Sequence, residues 1–223
     1  MNFSEILIKE TTPILEANFK HPFVTGLADG SLDMAKFRYY MIQDMLYIVD
    51  YARAMAWVAP NMTNISDIMR MLDAAKETFE TEKILKEQYF NDFKISIDDA
   101  LNTRPAPSCK AHIDHLFRYT RTGSLAEGLS AILPCSWIYV EIGLHYNSED
   151  NIPESNPYKK WLETYSDPAF VEMVDWWFSI LNDITKQTNN KELDHLKSIF
   201  RDSCRYEWLF WEMSWNLENW QPE

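Results

Sequence analysis

Apolar positions recur at spacings of three and four along almost the whole chain, a period that predicts helices nearly throughout. Residues 1–19 read as a first helix. Residues 30–60 read as a long second one, capped by Ser31 or Asp33 and closed at Pro60. Residues 64–93 form a third, with its charges on the outer face. "NTRPAPS" (102–108) reads as a loop, with Ser108 placed to cap the next helix, over 108–121. Gly123 and Ser124 separate that helix from the one carrying Cys135. "NSEDNIPESNP" (147–157) reads as a polar loop, and two further helices are expected at about 168–187 and 190–218. No hairpin pattern, Gly-rich phosphate loop, repeat or linker divides the chain. The expectation is one all-α domain over residues 1–223, built from seven or eight helices.

Composition supports this pattern. Of the 223 residues 46% are hydrophobic and 14% aromatic, enough for a sizeable core. Only five are glycine, which favours long helices over many tight turns. The formal net charge of −13 repels phosphate backbones and anionic lipid, so neither nucleic acid nor a membrane is expected as a partner. The three cysteines, Cys109, Cys135 and Cys204, cannot all pair, and their spacing fits no disulfide or zinc framework. The first ten residues carry acids where a signal peptide needs a basic start, and no uninterrupted apolar stretch approaches the ~18 residues of a membrane span. A reduced, cytoplasmic protein is the expectation.

Three of the predicted helices carry polar residues on their apolar stripes. In the second, Phe37, Tyr40, Asp44, Tyr47 and Tyr51 share one face. In the Cys135 helix, Leu125, Leu129, Ile132, Cys135, Tyr139 and Ile142 do so. In the last, the stripe is Phe200, Cys204, Glu207, Phe210, Trp211 and Ser214. Taken singly, a buried cysteine acts as a small hydrophobe, and an acid on an aromatic stripe is paired with a base or a tyrosine. Taken together, stripes that face a common centre would bring a thiol, two carboxylates and a ring of tyrosines into one pocket.

Pro134, one residue before Cys135, removes a backbone donor from the apolar helix "LPCSWIYVEIG" and should bend it. That bend either aims the thiol into a cavity or serves packing alone. Two other constellations are weaker. Glu192 and His195 have the i, i+3 spacing of di-iron bundles, but no second Glu-x-x-His exists and a solvated face is the simpler reading. His112 and His115 are also at i, i+3, with no third metal ligand to nominate.

The segments "HPFVTGLADGSLDMAKFRYYMIQDMLYIVDYAR", "LSAILPCSWIYVEIG", "NPYKKWLETYSDPAF" and "CRYEWLFWEMSW" resemble the TenA family, also called thiaminase II. The cysteine-bearing branch is marked by P-C-x-W-x-Y together with a terminal E-x-x-F-W, and both are present. The resemblance implies a haem-oxygenase-like all-α fold without haem, metal or other cofactor, assembled as a homotetramer. It also implies an aminopyrimidine aminohydrolase of thiamin salvage. Such enzymes convert 4-amino-5-aminomethyl-2-methylpyrimidine to the 5-hydroxymethyl pyrimidine with release of ammonia, and they cleave thiamin.

By the same resemblance Cys135 matches the nucleophile, Glu207 the proton donor and Tyr47 a tyrosine that assists the cysteine. Asp44 matches the carboxylate on the aminopyrimidine edge, and Tyr139, Tyr165 and Phe210 match substrate-pocket positions. One position departs: His112 stands where the family more often has a tyrosine, facing the ring and the cysteine. One reading is a neutral core histidine satisfied by a hydrogen bond; the other, functional one is a cationic ring beside Cys135 that would favour the thiolate. The alternative reading is a non-catalytic aminopyrimidine-binding or regulatory protein. That role needs neither a thiol nor a second acid.

Overall fold

The computed structural model describes residues 1–147 and 152–222, and among these residues the architecture is all-α with no strand. Ten α-helices follow one another: α1 (Phe3–Phe19), α2 (Pro22–Asp29), α3 (Met34–Val58), α4 (Ile65–Phe93), α5 (Ile97–Leu101), α6 (Pro107–Thr122), α7 (Leu125–Asn147), α8 (Lys159–Tyr165), α9 (Pro168–Thr185) and α10 (Asn190–Asn216). The count exceeds the expected seven or eight because α2, α5 and α8 have only five to eight residues. Two turns or fewer leave no apolar period to read. Part of the expected polar loop, residues 148–151, lies outside the described residues.

Local chemistry sets the ends of the long helices. Asp33 caps α3 by accepting from Ala35 N at 2.7 Å, and Asn64 caps α4 by accepting from Ser66 N at 3.0 Å. Gly30 closes α2 with a left-handed φ of 79°, a conformation that costs glycine nothing. Ser108 is not a cap. Helix α6 starts one residue earlier at Pro107, whose ring suits a first helical position, and the Ser108 N–H and hydroxyl donate to Glu218 instead.

Helix α7 runs through the middle of the bundle, with α6, α8, α9 and α10 packed around it, while α3 lies between α4 and α6. By length and composition α7 could cross a membrane, contrary to the expectation that no stretch could. However, 78% of its most apolar window is buried inside the protein, so its hydropathy is that of a core helix. Gly143 on α7 allows a close crossing. A Cβ there would sit 2.7 Å from the carbonyl carbon of Tyr165 and 2.8 Å from Ser166 N, so the end of α8 approaches α7 only because the side chain is absent. That approach sets Tyr165 beside Tyr139, with ring centroids 4.8 Å apart.

Candidate active site

The three polar stripes converge. Asp44, Tyr47, Cys135, Tyr139, Glu207 and Phe210 are all buried, and the structure adds His112 from α6 and Tyr165 from α8 to the same interior region. The residues fall into two polar clusters, and Phe210 lies near both. Its ring centroid is 5.5 Å from that of Tyr47 on one side and 6.0 Å from that of Tyr40 on the other.

The first cluster surrounds the thiol. Tyr51 reaches across from α3 to α7, donating to Ile132 O at 2.9 Å and sharing a 2.8 Å hydrogen bond with Ser136 Oγ. These two contacts straddle Cys135 and tie its turn of α7 to α3. They also bring a donor to the stretch where Pro134 has removed one. Tyr47, Tyr51 and Glu207 are polar neighbours of the Cys135 sulfur. Burial and the facing Glu207 carboxyl push the thiol well above its ordinary pKa, and the Tyr47 hydroxyl pulls it part of the way back. The Glu207 carboxyl is raised to about 8 by burial first and by Asp44 second, against a lowering hydrogen bond with Cys135. Near neutral pH the site therefore holds a thiol and a carboxylic acid.

His112 completes this cluster. Its Nε2 lies 3.4 Å from both Glu207 Oε1 and the Tyr47 hydroxyl. Its ring stacks on Tyr206, with centroids 5.2 Å apart and planes 9° apart. Burial, helped by His115, lowers its pKa far below the usual histidine value. The ring is thus neutral, which corrects the expectation of a cationic His112 beside the thiol: the cost of burying charge outweighs the attraction of a carboxyl that is itself protonated. His112 Nδ1 and Glu207 Oε1 have no hydrogen-bond partner among the described residues. Unpaired buried polar atoms are costly, and these two lie within the cluster around the thiol.

The second cluster is a buried chain of charges. Asp44 Oδ2 lies 2.6 Å from Lys86 Nζ, Lys86 donates to Glu82 Oε2 at 2.5 Å, and the Tyr165 hydroxyl donates to Glu82 Oε1 at 2.7 Å. Nearby, the Tyr40 and Tyr139 hydroxyls are 3.3 Å apart. Glu82 and Lys86 were missed by the sequence reading, which assigned the charges of this helix to its outer face. A signal existed. Met71, Ala75, the half-buried Phe79, Glu82, Lys86 and Phe90 keep the three- and four-residue spacing of the inner face of α4.

The weaker constellations resolve as surface or structural features. His195 is exposed and meets Glu127 at 2.9 Å, and His115 Nε2 is 2.7 Å from Ser203 Oγ. Among the described residues no group of three or more His, Cys, Asp or Glu side chains is arranged to hold a metal. Cys109 and Cys204 are free and buried, Cys109 donating to Gln43 O at 3.6 Å and Cys204 lying one turn before Glu207 on α10. A surface cleft of about 640 Å³ between α4, α8 and α9 is separate from Cys135, and it shares Glu82 and Tyr165 with the buried charge chain.

Comparison with known proteins places this geometry among relatives. A model of the TENA/THI-4/PQQC family matches residues 8–217. An aminopyrimidine aminohydrolase of Halalkalibacterium halodurans is 32% identical over 220 residues, covering 99% of this chain and 98% of the relative. One from Bacillus subtilis is 30% identical over 223 residues, covering 99% and 92%. Among solved structures, a TenA homologue from Pyrococcus horikoshii superposes with a TM-score of 0.86 at 26% identity, covering 97% of this chain and 99% of that one. A protein with a haem-oxygenase-like fold from Shewanella denitrificans superposes with a TM-score of 0.74 at 15% identity, covering 97% and 93%, a likeness of fold alone.

Proposed function

The chain belongs to the TENA/THI-4/PQQC family, with a haem-oxygenase-like all-α fold, and from that membership we propose that it is an aminopyrimidine aminohydrolase of thiamin salvage. The observation that carries the reading is the convergence, in one buried region, of the Cys135 thiol, the Glu207 carboxyl and the Asp44 carboxyl from three different helices. The substrate is 4-amino-5-aminomethyl-2-methylpyrimidine, and thiamin is a second substrate cleaved at the same methylene carbon.

The chemistry follows from the protonation states. Asp44 receives the amino edge of the ring, and Tyr139, Tyr165 and Phe210 supply aromatic walls. Cys135 is the nucleophile. Its thiol adds to the ring while its proton passes through Glu207 to a ring nitrogen, so the acid donates one proton and recovers another. This relay lets a thiol of raised pKa react without a standing thiolate, and the Tyr47 hydroxyl stabilises the charge that develops on sulfur. The amine then takes a proton from Glu207 and leaves the exocyclic methylene as ammonia, water adds there and returns a proton to Glu207, and elimination of the thiol restores the aromatic ring and returns the ring proton to Cys135. His112, neutral and 3.4 Å from Glu207, helps to orient the acid.

The purified protein is to be given the 5-aminomethyl pyrimidine and thiamin in separate reactions, with ammonia and thiazole release measured. Release of ammonia with formation of the 5-hydroxymethyl pyrimidine supports the proposal; tight binding with no product from either compound favours the binding-protein alternative. Homotetramer assembly in the cytoplasm belongs to the same proposal. It draws support from Ile65, Met69 and Leu72, exposed apolar residues on one face of α4 that a second copy of the chain would cover.

A further inference from the structure

We propose that Lys86 and Glu82 are positioning residues that set the charge of Asp44, and through it the place of the proton shared between Asp44 and the aminopyrimidine ring. The inference rests on the reading of Asp44 as the carboxylate on the amino edge of the substrate. It goes beyond that reading by assigning work to two residues on α4.

The geometry is that of one cation held between two acids. Lys86 is fully buried, with Asp44 2.6 Å away and Glu82 2.5 Å away, and the Tyr165 hydroxyl fixes the far oxygen of Glu82 at 2.7 Å. Replacing such a group by apolar side chains commonly costs a fold little, so stability alone is a weak reason for it. Here its two ends meet residues of the chamber: Asp44 at one, Tyr165 at the other.

Burial pushes the Asp44 carboxyl up, Lys86 pulls it down, and Glu82 pushes it up again, which leaves it above the usual carboxylate range. Burial alone would lower the Lys86 ammonium, but Asp44 and Glu82 more than offset this and keep it protonated. The two shifts point opposite ways for the ion pair. One cation facing two acids reconciles them, since Lys86 gains from both while Asp44 also meets the like charge of Glu82. The other ionisable groups that face Asp44 are Tyr40 on its own helix, Cys109, Cys135, Tyr139, Tyr165 and Glu207. Burial favours the uncharged form of each at neutral pH. Lys86 and Glu82 are therefore the charges that decide the state of Asp44.

An aminopyrimidine offers an N–H from its amino group and a lone pair on the adjacent ring nitrogen. A carboxyl group pairs with both edges when one proton lies between ring nitrogen and oxygen. With that proton on Asp44 the ring is neutral. With it on the ring, the ring is a better acceptor for the Cys135 sulfur. Lys86 favours the second arrangement by stabilising the Asp44 anion. Glu82 holds Lys86 in place and limits how far Asp44 is acidified.

The test is an infrared titration of the protonated-carboxyl band that disappears in Asp44→Asn, recorded in the parent, in Lys86→Met and in Glu82→Gln. The expected midpoint moves up by at least about one pH unit in Lys86→Met and down in Glu82→Gln, because the two variants remove charges of opposite sign. Turnover of the 5-aminomethyl pyrimidine by Lys86→Met is expected to fall at least tenfold in kcat with a smaller change in KM. Glu82→Gln keeps the size of the residue, so it carries the test if Lys86→Met fails to fold. A midpoint unmoved in the folded variants, or moved the same way in both, overturns the inference. Loss of activity in the parent protein itself would instead count against the aminohydrolase proposal.

Discussion

Glu207 Oε1 lies 3.4 Å from His112 Nε2, inside a protein that leaves each side chain only 1% exposed, and burial keeps both groups uncharged at neutral pH. A carboxylic acid facing a neutral imidazole differs from an ion pair. It keeps a transferable proton at the centre of the chamber, and the pH dependence of the protein follows from where that proton resides.

Glu207 should give the rate profile an alkaline limb. The acid is raised to about 8 by burial and by Asp44, so it donates below that value and is spent above it. The kcat/KM for the aminomethyl pyrimidine is expected to fall as pH rises through about 8, and Glu207→Gln should lose at least a hundredfold at every pH. A Glu207→Gln enzyme that retains the parent's alkaline limb would assign that limb to another group.

The same shift has a sign for stability. The folded protein holds the Glu207 proton up to about pH 8, whereas the unfolded chain releases it near the ordinary glutamate value of 4.5. Stability from this group is complete below 4.5 and is lost as pH climbs to 8. Glu207→Gln, which cannot ionise, should therefore be more stable than the parent at pH 8.5, on the order of 2–4 kcal/mol, with little gain at pH 4.5. Thermal or urea unfolding at the two pH values checks this.

His112 should add no limb of its own to the rate profile near neutral pH, since burial already holds its ring neutral there. His112→Tyr is expected to stay active with a changed preference between the aminomethyl pyrimidine and thiamin, because a hydroxyl then faces Glu207. His112→Leu should cost about tenfold in kcat through loss of the group beside the acid. Competition kinetics with both substrates separates these outcomes; equal preference in parent and both variants would make His112 a packing residue.

Gly143→Ala tests the placement of Tyr165. The new Cβ would come within 2.7–2.9 Å of the Tyr165 backbone and force α8 away from α7. A stability loss of about 1–3 kcal/mol is expected from overpacking. A severalfold rise in KM should accompany it as Tyr165 leaves Glu82 and Tyr139.

Much of the site was legible in the sequence because it sits on long helices. Asp44, Tyr47, Cys135, Tyr139, Glu207 and Phe210 each interrupt or extend an apolar stripe of α3, α7 or α10, and a period of 3.6 reports which face they occupy. Tyr165 came from the family resemblance alone, since the seven residues of α8 carry no period. Glu82 and Lys86 were hidden for a different reason. They are charged residues in a helix dense with other charged residues, and only tertiary packing separates the buried pair from the exposed ones. The charge state of His112 was misread because spacing reports the neighbours of a residue and not the dielectric around it.

The central claim is that Cys135 opens the reaction by attacking the pyrimidine. Its most direct test is ammonia release from 4-amino-5-aminomethyl-2-methylpyrimidine by Cys135→Ser, measured beside a Cys109→Ala/Cys204→Ala double variant. The account predicts at least a thousandfold loss for Cys135→Ser with the helical fold intact, since a serine hydroxyl is a far weaker nucleophile, and activity within a fewfold of the parent for the double variant. Near-parent turnover by Cys135→Ser would contradict it.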